Sequence, residues 1–225
     1  MRHWHPYIGD ALGRMAERGI REAVGVVMAP HYSRLSIGAY YREVEEAEAG
    51  VVVRGIESWH LLPGYVRAVA DHVRAALARL PEAARPDAPV IFTAHSLPER
   101  IRTWDDPYPR QLAETVDAVM ALLGPRPHRF AYQSASPTGE PWLGPDVSVV
   151  LEELAGAGAR HVVVAPMGFV SEHVEILYDL DIGLVERAAE LGVRLERTAM
   201  VNDAPAMIAG LADLTRATAR DAGWA

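Results

Sequence analysis

Cysteine is absent from all 225 positions of the sequence. Its absence excludes disulfides, a thiolate nucleophile and any zinc or iron–sulfur site that depends on cysteine ligands. No apolar stretch reaches the roughly 20 residues that cross a bilayer, and the first residues show no signal-peptide pattern. Basic residues are also scarce: 22 Lys and Arg stand against 30 Asp and Glu, for a formal net charge of -8. We therefore expect a soluble cytoplasmic protein, with no transmembrane segment and no nucleic-acid partner.

Hydrophobic residues make up 50% of the chain, which is enough apolar material for a packed core. Short runs rich in β-branched residues alternate with segments of helical periodicity. The predicted strands are Glu22–Ala29, Val51–Glu57, Val90–Ala94, Phe130–Gln133, His161–Met167 and Arg194–Ala199. The predicted helices are Pro6–Arg18, Ile37–Ala49, Gly64–Leu80, Tyr108–Leu123, Pro145–Ala157, Ser171–Leu191 and Ala204–Ala222. This alternation predicts an α/β fold with parallel, Rossmann-like sheets joined by right-handed crossovers.

A connector rich in proline and alanine separates two groups of predicted strands. It covers residues 81–89, with two predicted strands before it and four after it. We predict two domains, residues 1–87 and 88–225, with the last helix packing back on the first domain. A loop within one domain is the alternative. Because a two-stranded sheet has two open edges and little to bury, we interpret the first domain as incomplete at its N-terminus.

A histidine at the end of an apolar strand marks the first candidate site. His95 ends the run Val90–Ala94, and Pro98 then turns the chain away. Ligands of open α/β sheets bind at this carboxyl edge of parallel strands. A lone histidine there is more often structural than a ligand. An acidic group from a neighbouring strand end would complete a donor set of imidazole and carboxylate, which suits a divalent ion such as Fe²⁺.

The second candidate site follows the fifth predicted strand. Behind the turn that ends this strand, Glu172, Glu175 and Asp179 are spaced at i, i+3 and i+7. If a helix begins at Ser171, these carboxylates share one of its faces. Acidic residues in the first turns of a helix can also simply complement the helix dipole. Their position at the carboxyl edge of the sheet favours a binding role.

Several motifs, taken together, resemble the ferrochelatase family. They occur in the order and at the spacing of the family from about Trp4 to the C-terminus. The matching segments are Ala29–Ser33 with Ser36 and Tyr40, Glu57–Trp59, Thr93–Pro98, Asp106–Tyr108, Gln133–Ser134, Pro141–Pro145 and Gly168–Asp179. The lack of cysteine and the acidic charge are closest to the bacterial type that inserts iron into coproporphyrin III rather than protoporphyrin IX.

The resemblance implies a lyase that inserts Fe²⁺ into a porphyrin in haem biosynthesis. Iron would be a substrate, with no permanently bound cofactor and no iron–sulfur cluster. The catalytic, metal-facing pair would be His95 and Glu175, with Glu172, His173 and Asp179 as a relay or supporting shell. The porphyrin-binding candidates are Tyr40, Ser33, His31 and Trp142. We expect the porphyrin and haem-pathway enzymes as partners, and a monomer.

Two features depart from the family pattern. The family's opening stretch, with a first strand, a glycine-containing turn and a porphyrin-covering lip, has no match here. In addition, the family often has a further acidic residue one turn beyond Asp179, where this chain has Gly183. A catalytically impaired remnant or tetrapyrrole-binding fragment is therefore an alternative. A cobalt or sirohydrochlorin chelatase is another, although those relatives usually present two histidines where this chain has His95 and Glu175. Structural roles are the alternatives for His31 and Trp142.

Overall fold

The computed structural model describes residues 3–224, and within this range strands and helices alternate. The strands are β1 (Glu22–Val26), β2 (Val52–Ile56), β3 (Val90–His95), β4 (His128–Gln133), β5 (His161–Pro166) and β6 (Arg194–Arg197). The helices are α1 (Ile8–Glu17), α2 (Ile37–Glu46), α3 (Pro63–Ala78), α4 (Tyr108–Leu123), α5 (Val147–Gly156), α6 (Val174–Leu177), α7 (Val185–Glu190) and α8 (Pro205–Asp221). A π-helical turn, Asp179–Leu184, separates α6 from α7. In this part of the chain none of the helices has the length and apolar character that a membrane span requires.

The strands pair in parallel within two sheets. β1 pairs with β2, and the larger sheet has the order β4-β3-β5-β6. Each predicted strand is present, so the predicted α/β class with parallel sheets is confirmed. At the carboxyl edge of the larger sheet, the β3–β4 pairing runs to His95 and Gln133, whereas the β3–β5 pairing runs to Thr93 and Pro166.

The larger sheet is covered on both faces, which explains why its central strands do not alternate apolar with polar residues. On one face, Val90, Phe92 and Ala94 of β3 pack with apolar residues of α3 and α4. On the other face, Ile91 packs with apolar residues of α5 and of residues 176–188. The smaller sheet is less covered, because Ile56 is the one buried residue in its two strands.

Helices α3 and α8 pack against each other and connect the two sheets. α3 also contacts α4 and β5, while α8 contacts β1 and β2. Gly64 allows this crossing, since a Cβ there would lie 2.1 Å from the carbonyl oxygen of Ala206. The division between residues 87 and 88 stays a prediction. α3 precedes that boundary and shares a hydrophobic cluster with strands that follow it.

The helix predicted for Ser171–Leu191 differs most from the structure. His173 is extended, with φ -157° and ψ 178°, and α6 begins at the next residue. The π-helical turn then interrupts the helix before α7. The prediction that Glu172, Glu175 and Asp179 share one helical face is therefore wrong for Glu172, which precedes the helix.

Candidate active site

His95 lies at the carboxyl edge of the larger sheet, as the last residue of β3. The five residues before it are buried, whereas its own side chain is 24% exposed. Its Nδ1 contacts the carbonyl oxygen of Ser96, and the hydroxyl of Tyr108 donates to the His95 carbonyl at 3.0 Å. Because a carbonyl oxygen can only accept, Nδ1 carries a proton. In the neutral imidazole, Nε2 therefore keeps its lone pair.

Glu175 comes from the first turn of α6 and meets His95 across the end of the sheet. Its Oε2 lies 3.5 Å from His95 Nε2. Gly168 permits this approach, since a Cβ there would lie 2.5 Å from the Cβ and 2.7 Å from the Cα of Ala94. The chain after β5 thus passes directly against β3, one residue before the histidine. The structure brings the two predicted metal-facing residues together.

The His95–Glu175 pair presents two electron-pair donors to one position. A neutral imidazole Nε2 and a carboxylate oxygen both accept, so a cation between them, either a proton or a divalent metal ion, satisfies both. Metal bonds of about 2.1 Å to nitrogen and oxygen place two ligands of one ion about 3.0–3.4 Å apart, close to the 3.5 Å observed. Within residues 3–224, no group of three or more His, Asp or Glu side chains is arranged to hold a metal ion. The pair suits temporary rather than permanent binding.

Aromatic side chains flank the pair. The ring centroid of His95 lies 5.9 Å from that of Phe169 and 6.2 Å from that of Trp142. Phe169 also contacts the ring of His173, with 4.2 Å between centroids. Trp142 donates from Nε1 to the hydroxyl of Thr138 at 2.9 Å, which fixes the indole. These rings give the pair apolar surroundings suited to a flat apolar ligand.

Two of the predicted supporting residues have different contacts. His173 Nδ1 lies 3.9 Å from Glu175 Oε2, and its Nε2 is buried with no hydrogen-bond partner among the described residues. Asp179 accepts a hydrogen bond from the hydroxyl of Ser134 and lines a cavity of about 360 Å³. His173 therefore adjoins the pair, whereas Asp179 is engaged with the segment that follows β4.

Glu172 contacts a different part of the chain. Burial alone would raise the pKa of its carboxyl, but hydrogen bonds from the Asn202 side chain and from the backbone of Glu172 and Met200, together with the charge of Arg197, lower this pKa below 4.5. The ionised carboxyl thus ties the segment before α6 to the segment after β6. These long-range bonds explain why residue 172 lies outside the helix.

The porphyrin-binding candidates of the first half are mostly internal. His31 is 2% exposed, and its Nε2 lies 2.8 Å from a threonine hydroxyl of α4. Burial, helped by the nearby His60, lowers the pKa of His31 to about 3, so the ring is neutral. Ser33 is fully buried and donates to Asp106 at 3.0 Å. This burial argues against direct ligand contact by His31 and Ser33, while the half-buried Tyr40 stays a predicted contact.

Three aromatic residues at this site were given no predicted role, although two of them, Phe169 and Tyr108, lie in segments that resemble the family. Phe169 directly follows the strand-end turn, and that position is a usable signal. Tyr108 begins α4, and its contact with His95 is not visible in any local pattern. Tyr65 occupies one of the apolar positions of α3, and its partner, the carbonyl of Met167, is 102 residues away in sequence. Spacing rules act over a few residues, so they cannot find such a contact.

The parallel α/β architecture of this chain is similar to that of solved chelatases. SirB from Bacillus subtilis, solved with Fe³⁺, matches with a TM-score of 0.67 at 11% identity over 98% of this chain and 80% of that one. DR2241 from Deinococcus radiodurans, described as structurally similar to chelatases, matches with a TM-score of 0.56 at 16% identity over 90% of this chain and 43% of that one. At these identities the likeness shows the fold alone.

Sequence relatives then identify the family. The ferrochelatase family model matches residues 1–219. The ferrochelatase of Herpetosiphon aurantiacus is 42% identical over 92% of this chain and 70% of its own length. The coproporphyrin III ferrochelatase of Geobacillus kaustophilus is 41% identical over 95% of this chain and 69% of its own length. The chain therefore belongs to the ferrochelatase family, the metal chelatases of iron insertion into porphyrin.

Proposed function

We propose that this chain inserts Fe²⁺ into coproporphyrin III in haem biosynthesis. The observation that carries the proposal is the His95–Glu175 pair, whose donor atoms lie 3.5 Å apart beside two aromatic rings. The choice of porphyrin draws support from relatives such as the Geobacillus kaustophilus protein, which is named a coproporphyrin III ferrochelatase. Family membership does not choose between porphyrins, so the substrate needs a test of its own.

Metal insertion requires an ion delivered to one face of the macrocycle and the removal of two pyrrole protons. In the proposed mechanism His95 Nε2 and a carboxylate oxygen of Glu175 bind Fe²⁺ and leave its other positions to water. Two donors hold the ion loosely enough for the two ring nitrogens that carry free lone pairs to begin displacing them. The freed atoms of His95 and Glu175 then accept the two pyrrole protons, and the two deprotonated nitrogens complete the coordination of the ion.

Neighbouring groups support these roles to different degrees. The carbonyl of Ser96 holds the proton on His95 Nδ1 and so keeps Nε2 available for the metal. His173 adjoins Glu175 at 3.9 Å, which supports its place in a proton relay. The contact of Asp179 with Ser134 offers no comparable support. In this proposal the relay consists of Glu175 and His173.

The roles of the pair are tested with His95→Ala and Glu175→Gln. Each change removes one of two donors, so we expect porphyrin metallation to fall by at least about 100-fold, the scale of a lost general base. Matched controls are His128→Ala, at the opposite end of β4, and Glu82→Gln, in the connector before β3; both should keep wild-type rates. Circular dichroism verifies folding. Wild-type turnover in either test variant would refute the assigned roles.

The porphyrin is tested by competition between coproporphyrin III and protoporphyrin IX at equal concentration, monitored by the absorbance of the metallated products. We expect coproporphyrin III to be metallated at least about tenfold faster, and the reverse preference would contradict the proposal. Tight porphyrin binding without metallation would favour the impaired-remnant alternative. Insertion of Co²⁺ into sirohydrochlorin in preference to both porphyrins would favour the alternative of a cobalt or sirohydrochlorin chelatase.

A further inference from the structure

Two buried tyrosines donate hydrogen bonds to backbone carbonyls at the carboxyl edge of the larger sheet. Tyr108, from α4, donates to the carbonyl of His95 at 3.0 Å. Tyr65, from α3, donates to the carbonyl of Met167, the residue that follows β5. The two hydroxyls thus bond to the end of β3, which carries His95, and to the residue after β5, in the segment that leads to Glu175 on α6.

These bonds lie where the sheet itself no longer holds the strands together. Pairing between β3 and β5 ends at Thr93 and Pro166. Beyond it, the N–H groups of Met167 and Gly168 both donate to the Thr93 carbonyl, whereas His95 is two residues further along β3. The sheet ladder therefore does not set the position of His95 relative to the segment that leads to Glu175.

The tyrosines are suited to a fixed geometry. Tyr65 is fully buried and Tyr108 is 6% exposed. Burial raises the pKa of both phenols, so both hydroxyls stay protonated and donate. The ring of His31 lies edge-to-face with both, at centroid distances of 6.4 Å from Tyr65 and 6.3 Å from Tyr108. Rings packed in this way have little freedom to move.

We propose that Tyr65 and Tyr108 are positioning residues for metal transfer. They hold the two strand ends at the separation at which His95 and Glu175 share one ion. The inference rests on the proposed function, because it assumes that this pair receives the metal. A shift of about 1 Å between the strand ends would exceed the range of separations open to two ligands of one ion with bonds of about 2.1 Å.

The test compares Tyr65→Phe and Tyr108→Phe with Tyr41→Phe. Tyr41 is a matched control, because its hydroxyl also bonds to strand carbonyls, those of Gly25 and Ile56 at 2.9 Å, but in the smaller sheet. The probe is Co²⁺ without porphyrin, titrated by its visible absorbance, with His95→Ala to define the site. We expect the Co²⁺ dissociation constant to rise at least fivefold in the two test variants and to stay within twofold of wild type in Tyr41→Phe.

A purely structural role would lower the urea midpoint in all three variants without changing Co²⁺ affinity, and that result would overturn the proposal. The proposal would also be overturned if Tyr41→Phe weakened Co²⁺ binding as much as the two test variants do. A His95→Ala variant that binds Co²⁺ with wild-type affinity would overturn it as well. If one test variant does not fold, the other decides the outcome alone. Since the titration contains no porphyrin, a failure of the proposed function is recognised separately, as a wild-type chain that binds Co²⁺ through His95 but does not metallate porphyrin.

Discussion

The two sheets of this protein have the same strand direction but very different support. In the larger sheet, every residue of β3 before His95 is buried, as is every residue of β5 after His161. In the smaller sheet, β1 and β2 contain one buried residue between them. Of the residues proposed to bind the metal, His95 ends a strand of the well-packed sheet and Glu175 lies in the helix that follows the neighbouring strand. The segment that resembles the porphyrin cleft follows β1, in the sheet with less support.

This difference separates the part of the molecule that must hold donor atoms at fixed positions from the part that can adjust its shape to a ligand. A two-donor metal pair tolerates little error in the distance between its donor atoms. The segment proposed to contact a large flat ligand can tolerate local movement, and low local stability permits such movement. The side chains that join the two sheets therefore decide how far movement in one reaches the other.

The largest expected effect comes from glycines at close contacts in each sheet. A Cβ at Gly168 would lie 2.7 Å from the backbone Cα of Ala94, which is fully buried. A Cβ at Gly55 would meet the ring of Tyr41 at 2.5 Å, which is a half-buried side chain rather than backbone. We expect Gly168→Ala to lower the free energy of unfolding, measured with urea, by about 3 kcal/mol and Gly55→Ala to lower it by about 1 kcal/mol. These values are the two ends of the range that is typical when an atom is added to a packed site. We also expect Gly168→Ala to abolish metallation, because it displaces the segment that carries Glu175.

Gly156→Ala is the control for these substitutions. Position 156 lies in α5, and a Cβ there would have no atom within 4 Å. This change should leave stability unchanged or raise it by up to about 1 kcal/mol. Equal losses of stability in Gly168→Ala and Gly55→Ala would show that the two sheets are equally rigid.

The next effect concerns Asp106, a buried carboxylate that links the sheets. It accepts hydrogen bonds from the Ser33 hydroxyl at 3.0 Å, from the backbone N–H of Arg34 at 2.8 Å and from that of Tyr108 at 3.0 Å. Both oxygens of Asp106 accept hydrogen bonds, so an amide nitrogen in place of either one would face a donor. We therefore expect Asp106→Asn to lower the free energy of unfolding, measured with urea, by about 2 kcal/mol. The neighbouring Asp105 is exposed with φ 51°, which asparagine tolerates, so Asp105→Asn should be neutral. Equal stability of the two variants would argue that Asp106 does not link the sheets.

Amide hydrogen exchange measures the contrast between the sheets directly. Segments with few buried apolar contacts open at lower free energy than the core. We expect the amides of β2 to exchange at least about tenfold faster than those of β3 at neutral pH, in the wild-type chain and without ligand. Peptide-level mass spectrometry resolves the two strands. Matching protection in β2 and β3 would contradict the difference in support described above.

Much of the fold was predictable because burial on both faces leaves a simple mark in the sequence. The runs that became β3 and β5 are mostly apolar and do not alternate with exposed polar residues, so their parallel pairing could be inferred. His95 was a candidate because it directly follows such a run, and Glu175 was one of three acidic candidates because it lies close behind a strand end. The family resemblance then selected these two as the metal-facing pair.

What escaped prediction depends on contacts between distant segments. The start of α6 is shifted because Glu172 is held by Asn202 and the backbone of Met200. The contacts of buried His31 and Ser33 are with α4 and with Asp106 just before it, more than 70 positions later in the chain. The tyrosine bonds at the strand ends likewise join remote segments. No local periodicity encodes such contacts, since they arise only when the sheets and helices assemble.

The smallest expected effect concerns a hydrogen bond between side chains that also joins the two halves. His60, in the loop after β2, has its Nε2 2.8 Å from Oε2 of Glu114 on α4. The hydrogen bond with His60 lowers the pKa of Glu114 below its ordinary 4.5, with a further contribution from Arg110 that partial burial opposes. A carboxyl with a lowered folded-state pKa stabilises the fold above the unfolded pKa, and this contribution disappears as the pH falls through the folded value.

We therefore expect Glu114→Gln to lose at most about 1 kcal/mol at neutral pH, since Glu114 is 35% exposed and solvent screens the pair. The gap between variant and wild type should narrow as the pH falls below about 4.5. Urea midpoints measured from about pH 7 to about pH 3 check this, with Glu99→Gln as the exposed control. A difference in urea midpoint that stays constant across this range would mean that packing, and not the charge of Glu114, holds the loop against α4. Because the loop belongs to the smaller sheet, the same variant should speed amide exchange in β2 and leave β3 unchanged.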